Sequence, residues 1–229
     1  GAMARLDLDN HAIAAMTHAQ NLDPNHASGW FNLGSVQQRS ELVTEALQSY
    51  KRAVDTDPTY LKPAEKMAAL AMEKGLIETY MEAARVVIGI DSGHPVRQEF
   101  IDTLLQMAQG ESDVLDQISG LPPTLPAGPE MAKEALSLIA DTPSPERARA
   151  LSLSLQHSDA VLMWKKMIQD DPDEPNHWTG LARSLEQAGD YATAEKCHAK
   201  AASMGSSTNP APETADPAAT PSAAMAAIA

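Results

Sequence analysis

Residues 30–58 read WFNLGSVQQRSELVTEALQSYKRAVDTDP, and the spacing of their large and small side chains decides the fold. Trp30, Leu33 and Gly34 fall on one face of a helix, because steps of three and four residues return to the same side of a 3.6-residue turn. Ala46 and Ala53 recur at helical spacing around Tyr50. Two small residues flanking a large one let a second helix approach the first closely, with the ring filling the gap. Asp57-Pro58 stops that second helix, since proline cannot continue the hydrogen-bond ladder and its predecessor avoids the α region.

The same pattern returns near the C-terminal end. Trp178-x2-Leu181-Ala182 precedes Ala194-x3-His198-x2-Ala201, and each tryptophan stands 23 residues before its last alanine. Gly189-Asp190 makes the turn between the two helices, where glycine tolerates a positive φ. Two further second halves lie just upstream: Ala12-x3-Met16-x2-Ala19-x4-Pro24 and Ala160-x3-Trp164-x2-Met167-x4-Pro172.

These residues resemble the tetratricopeptide repeat family, whose unit is a helix–turn–helix of about 34 residues. The resemblance covers 9–60 and 145–204. Over 61–95 it is weaker, because Ala64, Met67 and Ala68 replace the large-residue signature, although Gly75 stands at the expected turn. It implies an all-α right-handed α-solenoid of helix–turn–helix repeats, in two blocks with an irregular middle.

The spacings place helices over about 9–21, 27–39, 43–56, 61–74, 76–90, 96–109, 111–119, 130–140, 145–157, 159–170, 175–188 and 190–204. Leu151-Ser152-Leu153-Ser154-Leu155 alternates like a strand but has no partner strand, so it is kept helical. Trp30 and Trp178 are 148 residues apart, twelve more than four 34-residue units, and the surplus is assigned to the proline-crowded 119–145. The expected organisation is a scar of expression at 1–3, an N-terminal block at 4–119, a Pro/Gly-rich loop or hinge at 120–129, a C-terminal block at 130–204 and a low-complexity Ala/Pro tail at 205–229. The chain opens on a second helix without its first, which reads as a piece cut from a longer array or as an end covered by another copy.

Composition narrows the function. The chain has 229 residues, a net charge of −14, 39 alanines and only 4% aromatic residues. Small side chains favour close-packed helices over a β-sandwich. The acidic balance argues against duplex nucleic acid and anionic membranes, which need a basic footprint. The longest apolar run, 223–229, is seven residues, too short to span a bilayer. A single cysteine leaves the compartment open, with the cytoplasm as the expectation.

No catalytic residue, metal site or cofactor is expected. Cys197 and His198 are adjacent and point about 100° apart on a helix, so they do not form a nucleophile–base pair. His11 and His18 sit two turns apart, about 10 Å, too far to share one metal. His26 and His177 each follow a Pro-Asn pair at a helix start, where a polar side chain can cap free N–H groups.

The resemblance directs attention to the concave groove lined by the first helix of each unit, where members of the family bind peptides or partner helices. With Trp30 as the register mark, the inward stripes include Ser28, Phe31, Ser35, Gln38 and Arg39, then Lys62, Glu65, Ala69, Met72 and Glu73. Arg97, Phe100, Leu104, Met107 and Ala108 follow, then Arg149 and its neighbours, then Arg183 and Glu186. Five cations against three acids reverse the sign of the whole chain. The expected peptide-binding groove is therefore Phe31, Arg39, Lys62, Arg97, Phe100, Arg149 and Arg183, accepting an acidic or carboxylate-ended segment through guanidinium forks. Phe31 and Ser35 replace the first Lys and Asn of the family's chaperone-binding clamp, which argues against a chaperone adaptor. The expected function is a non-catalytic scaffold or adaptor for a protein or peptide partner. The alternatives are a repeat arm of a larger enzyme, such as a glycosyltransferase or methyltransferase, and a self-assembling homo-oligomer whose groove holds the chain's own tail.

Overall fold

The computed structural model describes residues 2–110 and 127–205. Among these it contains eleven helices: α1 (Ala2–Leu22), α2 (Ala27–Arg39), α3 (Val43–Thr56), α4 (Leu61–Glu73), α5 (Ile77–Ile90), α6 (Val96–Ala108), α7 (Ala127–Leu138), α8 (Pro145–Leu153), α9 (His157–Asp170), α10 (Pro175–Gln187) and α11 (Tyr191–Gly205). Neighbours in sequence are neighbours in space: α2 packs on α3, α4 on α5, α6 on α7, α8 on α9 and α10 on α11. Each pair then packs on the next, and α8 touches both α6 and α10. The fold is an all-α helical repeat solenoid.

The packing follows the sequence signature. Leu33, Ala46, Tyr50 and Ala53 are buried, as are Leu181, Ala182, Ala194 and Ala201. The indole N–H of Trp30 donates to the Pro24 carbonyl at 2.8 Å, and that of Trp178 to the Pro172 carbonyl at 2.9 Å. The same side chain thus fastens two equivalent helix starts to the turns that precede them. Ion pairs tie successive second helices: Lys51 on α3 to Glu82 on α5, and Arg85 on α5 to Glu134 on α7.

Every first helix ends two residues before a backbone of positive φ. Glu41 (62°), Gly75 (67°), Gly110 (64°), Leu155 (67°) and Gly189 (86°) hold these positions. The N–H of Leu42 bonds the Gln37 carbonyl, and Leu76 bonds Ala71, Gln156 bonds Leu151 and Asp190 bonds Leu185 in the same way. This wrapped helix end satisfies carbonyls that would otherwise be orphaned.

The turn at Leu155 corrects the helix expected over 145–157. α8 stops at Leu153 and α9 begins at His157, because the chain turns through a left-handed leucine rather than continuing. The alternating Leu-Ser run contributes a helix end and a turn, and no strand occurs among the described residues.

The irregular middle also differs from the expectation. α7 starts at Ala127, inside the segment read as loop or hinge at 120–129, and packs on α6. A Cβ on Gly128 would lie 3.2 Å from the Ala108 carbonyl oxygen, so the first turn of α7 meets the end of α6. The inserted residues therefore fall between the two helices of one pair. A single core cluster runs from Ala46 through Phe100 to Ala135 and Ala150, on both sides of the insertion. The helix expected over 111–119, residues 120–126 of the hinge and the tail from 206 onward lie outside the described residues.

Candidate functional site

Three of the first helices bury nearly the same positions. On α2 these are Trp30, Leu33, Gly34, Val36 and Gln37; on α10 Leu181, Ala182, Ser184 and Leu185; on α4 Ala64, Met67, Ala68, Leu70 and Ala71. The residues left over form a polar stripe. On α2 and α4 it comprises half-buried Phe31, Ser35 and Gln38 with exposed Arg39, then exposed Lys62, Ala69, Met72 and Glu73 with half-buried Glu65. Phe31 packs on two tyrosine rings, 5.9 Å from Tyr50 and 5.5 Å from Tyr60. The Tyr50 hydroxyl donates to Gln38 Oε1 at 2.7 Å, and the Ser35 hydroxyl to the Phe31 carbonyl at 2.9 Å. This end of the stripe is a fixed aromatic floor edged by polar groups.

On α6 the stripe is rotated from the expected register. Its buried residues are Phe100, Ile101, Thr103, Leu104 and Leu105. Moving the α2 pattern by 67 residues puts Phe100 in the place of Leu33 and Arg97 in the place of Trp30. Phe100 is 1% exposed and belongs to the core, with Arg85 stacked 5.5 Å above its ring. Arg97 turns inward too: its guanidinium donates to the Leu138 carbonyl, from Nε at 3.1 Å, and to the Ser92 carbonyl at 3.0 Å. It ties the α6 start to the preceding turn, as the tryptophans do elsewhere. The exposed residues of α6 are instead Gln98, Glu99, Asp102 and Gln106, and Gln98 donates to Glu146 on α8 at 2.6 Å.

The other expected cations divide into two groups. Arg39 forks onto Asp9 of α1, whose carboxylate is almost fully covered. Arg149 donates to Gln109. Lys62 and Arg183 are exposed. The structure thus places Phe31 and Arg39 at opposite ends of α2, Lys62 at the start of α4 and Arg183 on α10, ties half-buried Arg97 to carbonyls of neighbouring segments and buries Phe100 in the core. Sequence spacing missed the α6 rotation because Arg97 does not carry the aromatic signature. The signal that finds it is the apolar set Phe100, Ile101 and Leu104, which falls on the positions that Leu33, Gly34 and Gln37 bury in α2.

The remaining candidates have structural surroundings. Cys197 is buried, and that burial pushes its thiol pKa up. His198 pairs with Glu186 at 3.0 Å. His26 makes no side-chain cap of α2; its Nε2 meets the Ser28 hydroxyl at 2.8 Å. Glu174, not His177, caps α10, accepting from the Asn176 N–H at 3.0 Å. Among the described residues no three His, Cys, Asp or Glu side chains converge as a metal site would require. No helix among them is long and apolar enough to cross a membrane.

One cavity has a cause in the repeat pattern. Moving the α2–α3 pattern by 114 residues places Ser144 where Trp30 stands, Leu155 where Glu41 stands and Lys166 where Arg52 stands. In α2–α3 the Arg52 guanidinium lies 4.6 Å above the Trp30 ring. In α8–α9 no indole stands at that position, which is Ser144, and residues 141–144 are not helical. A cavity of about 470 Å³ opens there, bordered by Leu136, Pro143, Arg147, Leu151, Met163 and Lys166 among others.

Comparison with known proteins gives one family match and several solved structures of low identity. Residues 2–60 match the tetratricopeptide repeat family model. No curated protein matches the chain. Among solved structures, the crystal structure of MamA is 14% identical with a TM-score of 0.34, covering 87% of this chain and 90% of that one. YrrB, described as a tetratricopeptide repeat protein with an unusual peptide-binding site, is 12% identical with a TM-score of 0.43, covering 83% and 92%. A tetratricopeptide repeat protein from Parabacteroides merdae is 17% identical with a TM-score of 0.41, covering 84% and 72%.

Proposed function

We propose that this tetratricopeptide repeat chain is a non-catalytic scaffold that holds a segment of a protein partner against the exposed stripe of its first helices. The observation that carries the reading is the stripe on α2 and α4. Phe31 on α2 is fixed by two tyrosines, Lys62, Ala69 and Met72 are exposed along α4, and Arg39 is exposed at the end of α2. A large apolar side chain of a bound segment gains contact with Phe31 and Met72, and Ala69 leaves room for its backbone. The floor is held in place before binding, which lowers the cost of ordering it.

A finer reading adds that the segment carries a carboxylate. Its support is Lys62, exposed at this stripe, and Arg183, exposed on α10. Arg39 contributes less than its charge implies, because Asp9 already faces it. Arg97 and Phe100 take no part.

Affinity selection from a displayed library of random dodecapeptides tests both levels. Enriched peptides are expected to carry a large apolar residue, to lose binding to Met72→Asp, and to lose part of it to Lys62→Glu when they are acidic. Equal binding to wild type and Met72→Asp would overturn the scaffold reading. Equal binding of acidic peptides to wild type and Lys62→Glu would remove the carboxylate preference alone.

A further inference from the structure

The outer face of α9 carries a charge pattern that reverses sign about its centre. Asp159 and Lys166 are both exposed and lie seven residues apart, with Leu162 and Met163 midway between them. Gln156 and Gln169 continue the symmetry, each three residues farther out. Gln156, Asp159, Leu162, Met163 and Lys166 together form the α9 wall of the 470 Å³ cavity. Leu162 at its centre is 63% exposed, and Leu155 at the adjoining turn is 66% exposed. Two leucines open to water beside a hollow of mixed polar and apolar lining are an unpaired surface, and the placement of the charges specifies what pairs with it.

We propose that α9 is the contact of a two-fold homodimer, in which α9 of one copy packs antiparallel on α9 of a second. About an axis passing between Leu162 and Met163, Asp159 of each copy meets Lys166 of the other, and Gln156 meets Gln169. A contact in which one patch meets itself is the isologous geometry of a two-fold dimer. The central leucine of each copy enters the other's cavity, the space that an indole occupies in α2–α3. Parallel packing would set Asp159 against Asp159 and Lys166 against Lys166, so the charges also select the direction. Among the described residues α9 packs chiefly on α8 and α10, and Asp159, Leu162 and Lys166 on this face are exposed. It is separate from the α2–α4 stripe, so the dimer and the scaffold reading stand or fall independently.

Sedimentation velocity of the full chain over a concentration series tests the proposal with three variants. Asp159→Lys leaves two cations on the face, and Lys166→Asp leaves two anions. Each variant is expected to weaken self-association by more than about tenfold through like-charge repulsion. Mixing the two is expected to restore dimers, because every contact in the mixed pair is again between opposite charges. Leu162→Asp is expected to abolish dimers of either kind. Circular dichroism confirms that each variant keeps its helices, as substitutions at exposed positions allow. A monomeric wild type across the series overturns the proposal, as does a dimer that the single charge reversals leave unchanged. Failure of the two reversed variants to associate when mixed also overturns it.

Discussion

An ideal Cβ on Gly34 would lie 2.8 Å from the Tyr50 ring and 3.2 Å from the Ala46 carbonyl oxygen. The glycine is therefore required by the tyrosine rather than by its backbone. The equivalent pair in α10–α11 is Ala182 with His198, where a smaller ring accepts a methyl group. Gly34→Ala is expected to cost about 1–3 kcal/mol by overpacking. Adding Tyr50→His should recover part of that loss, and a double-mutant cycle by urea denaturation measures the coupling; purely additive effects would contradict it. Gly180 obeys the same logic, since its Cβ would fall 2.4 Å from Trp164. Tyr80 offers a pH test. Burial, assisted by the charges of Glu99 and Asp102, pushes its phenol pKa up to about 12. A raised phenol pKa favours the neutral folded form. The stability it confers is complete below the unfolded value near 10 and is lost as the pH rises through about 12. Tyr80→Phe should flatten the fall in melting temperature across that window.

At the scale of elements, the first helices share one stop signal, a residue of positive φ two positions beyond the end. Glycine supplies it at 75, 110 and 189, whereas Glu41 and Leu155 adopt it against the preference of a side chain. Leu155→Gly and Glu41→Gly are each expected to stabilise the chain by up to about 1 kcal/mol, read as a raised melting temperature. A lowered melting temperature in both would contradict the turn assignment. These turns explain what was legible beforehand. The ends of α2 and α3 agree with the sequence map because Trp30, Pro24 and Pro58 mark them, and α4 and α10 depart from it by one residue at most. The 145–157 helix was read too long because its stop signal is a leucine, which carries no turn propensity of its own. The groove reading was least legible at α6. There Arg97 replaces the aromatic mark, and the residues expected to line the groove, Arg97 and Phe100, became core and anchor. Helical period identifies a buried face; it does not say which neighbour covers it.

At the scale of the whole molecule, one core continues past an insertion that falls inside the α6–α7 pair. Because α7 and α8 share that core with α3–α6, urea unfolding should move the environments of Tyr80 and Phe100 together with α7, as one transition. The two proposed surfaces, the stripe for a partner segment and the α9 face for a second copy, then lie on separate parts of the chain. The central claim is that the first-helix stripe of α2 and α4 receives the partner. Hydrogen exchange of the full chain, with and without a dodecapeptide enriched by affinity selection, tests it most directly. The account predicts slowed exchange confined to α2, α4 and the turns joining them to their neighbours, with α9 and α11 unchanged. Protection centred on the second helices, with α2 and α4 unaffected, would contradict it.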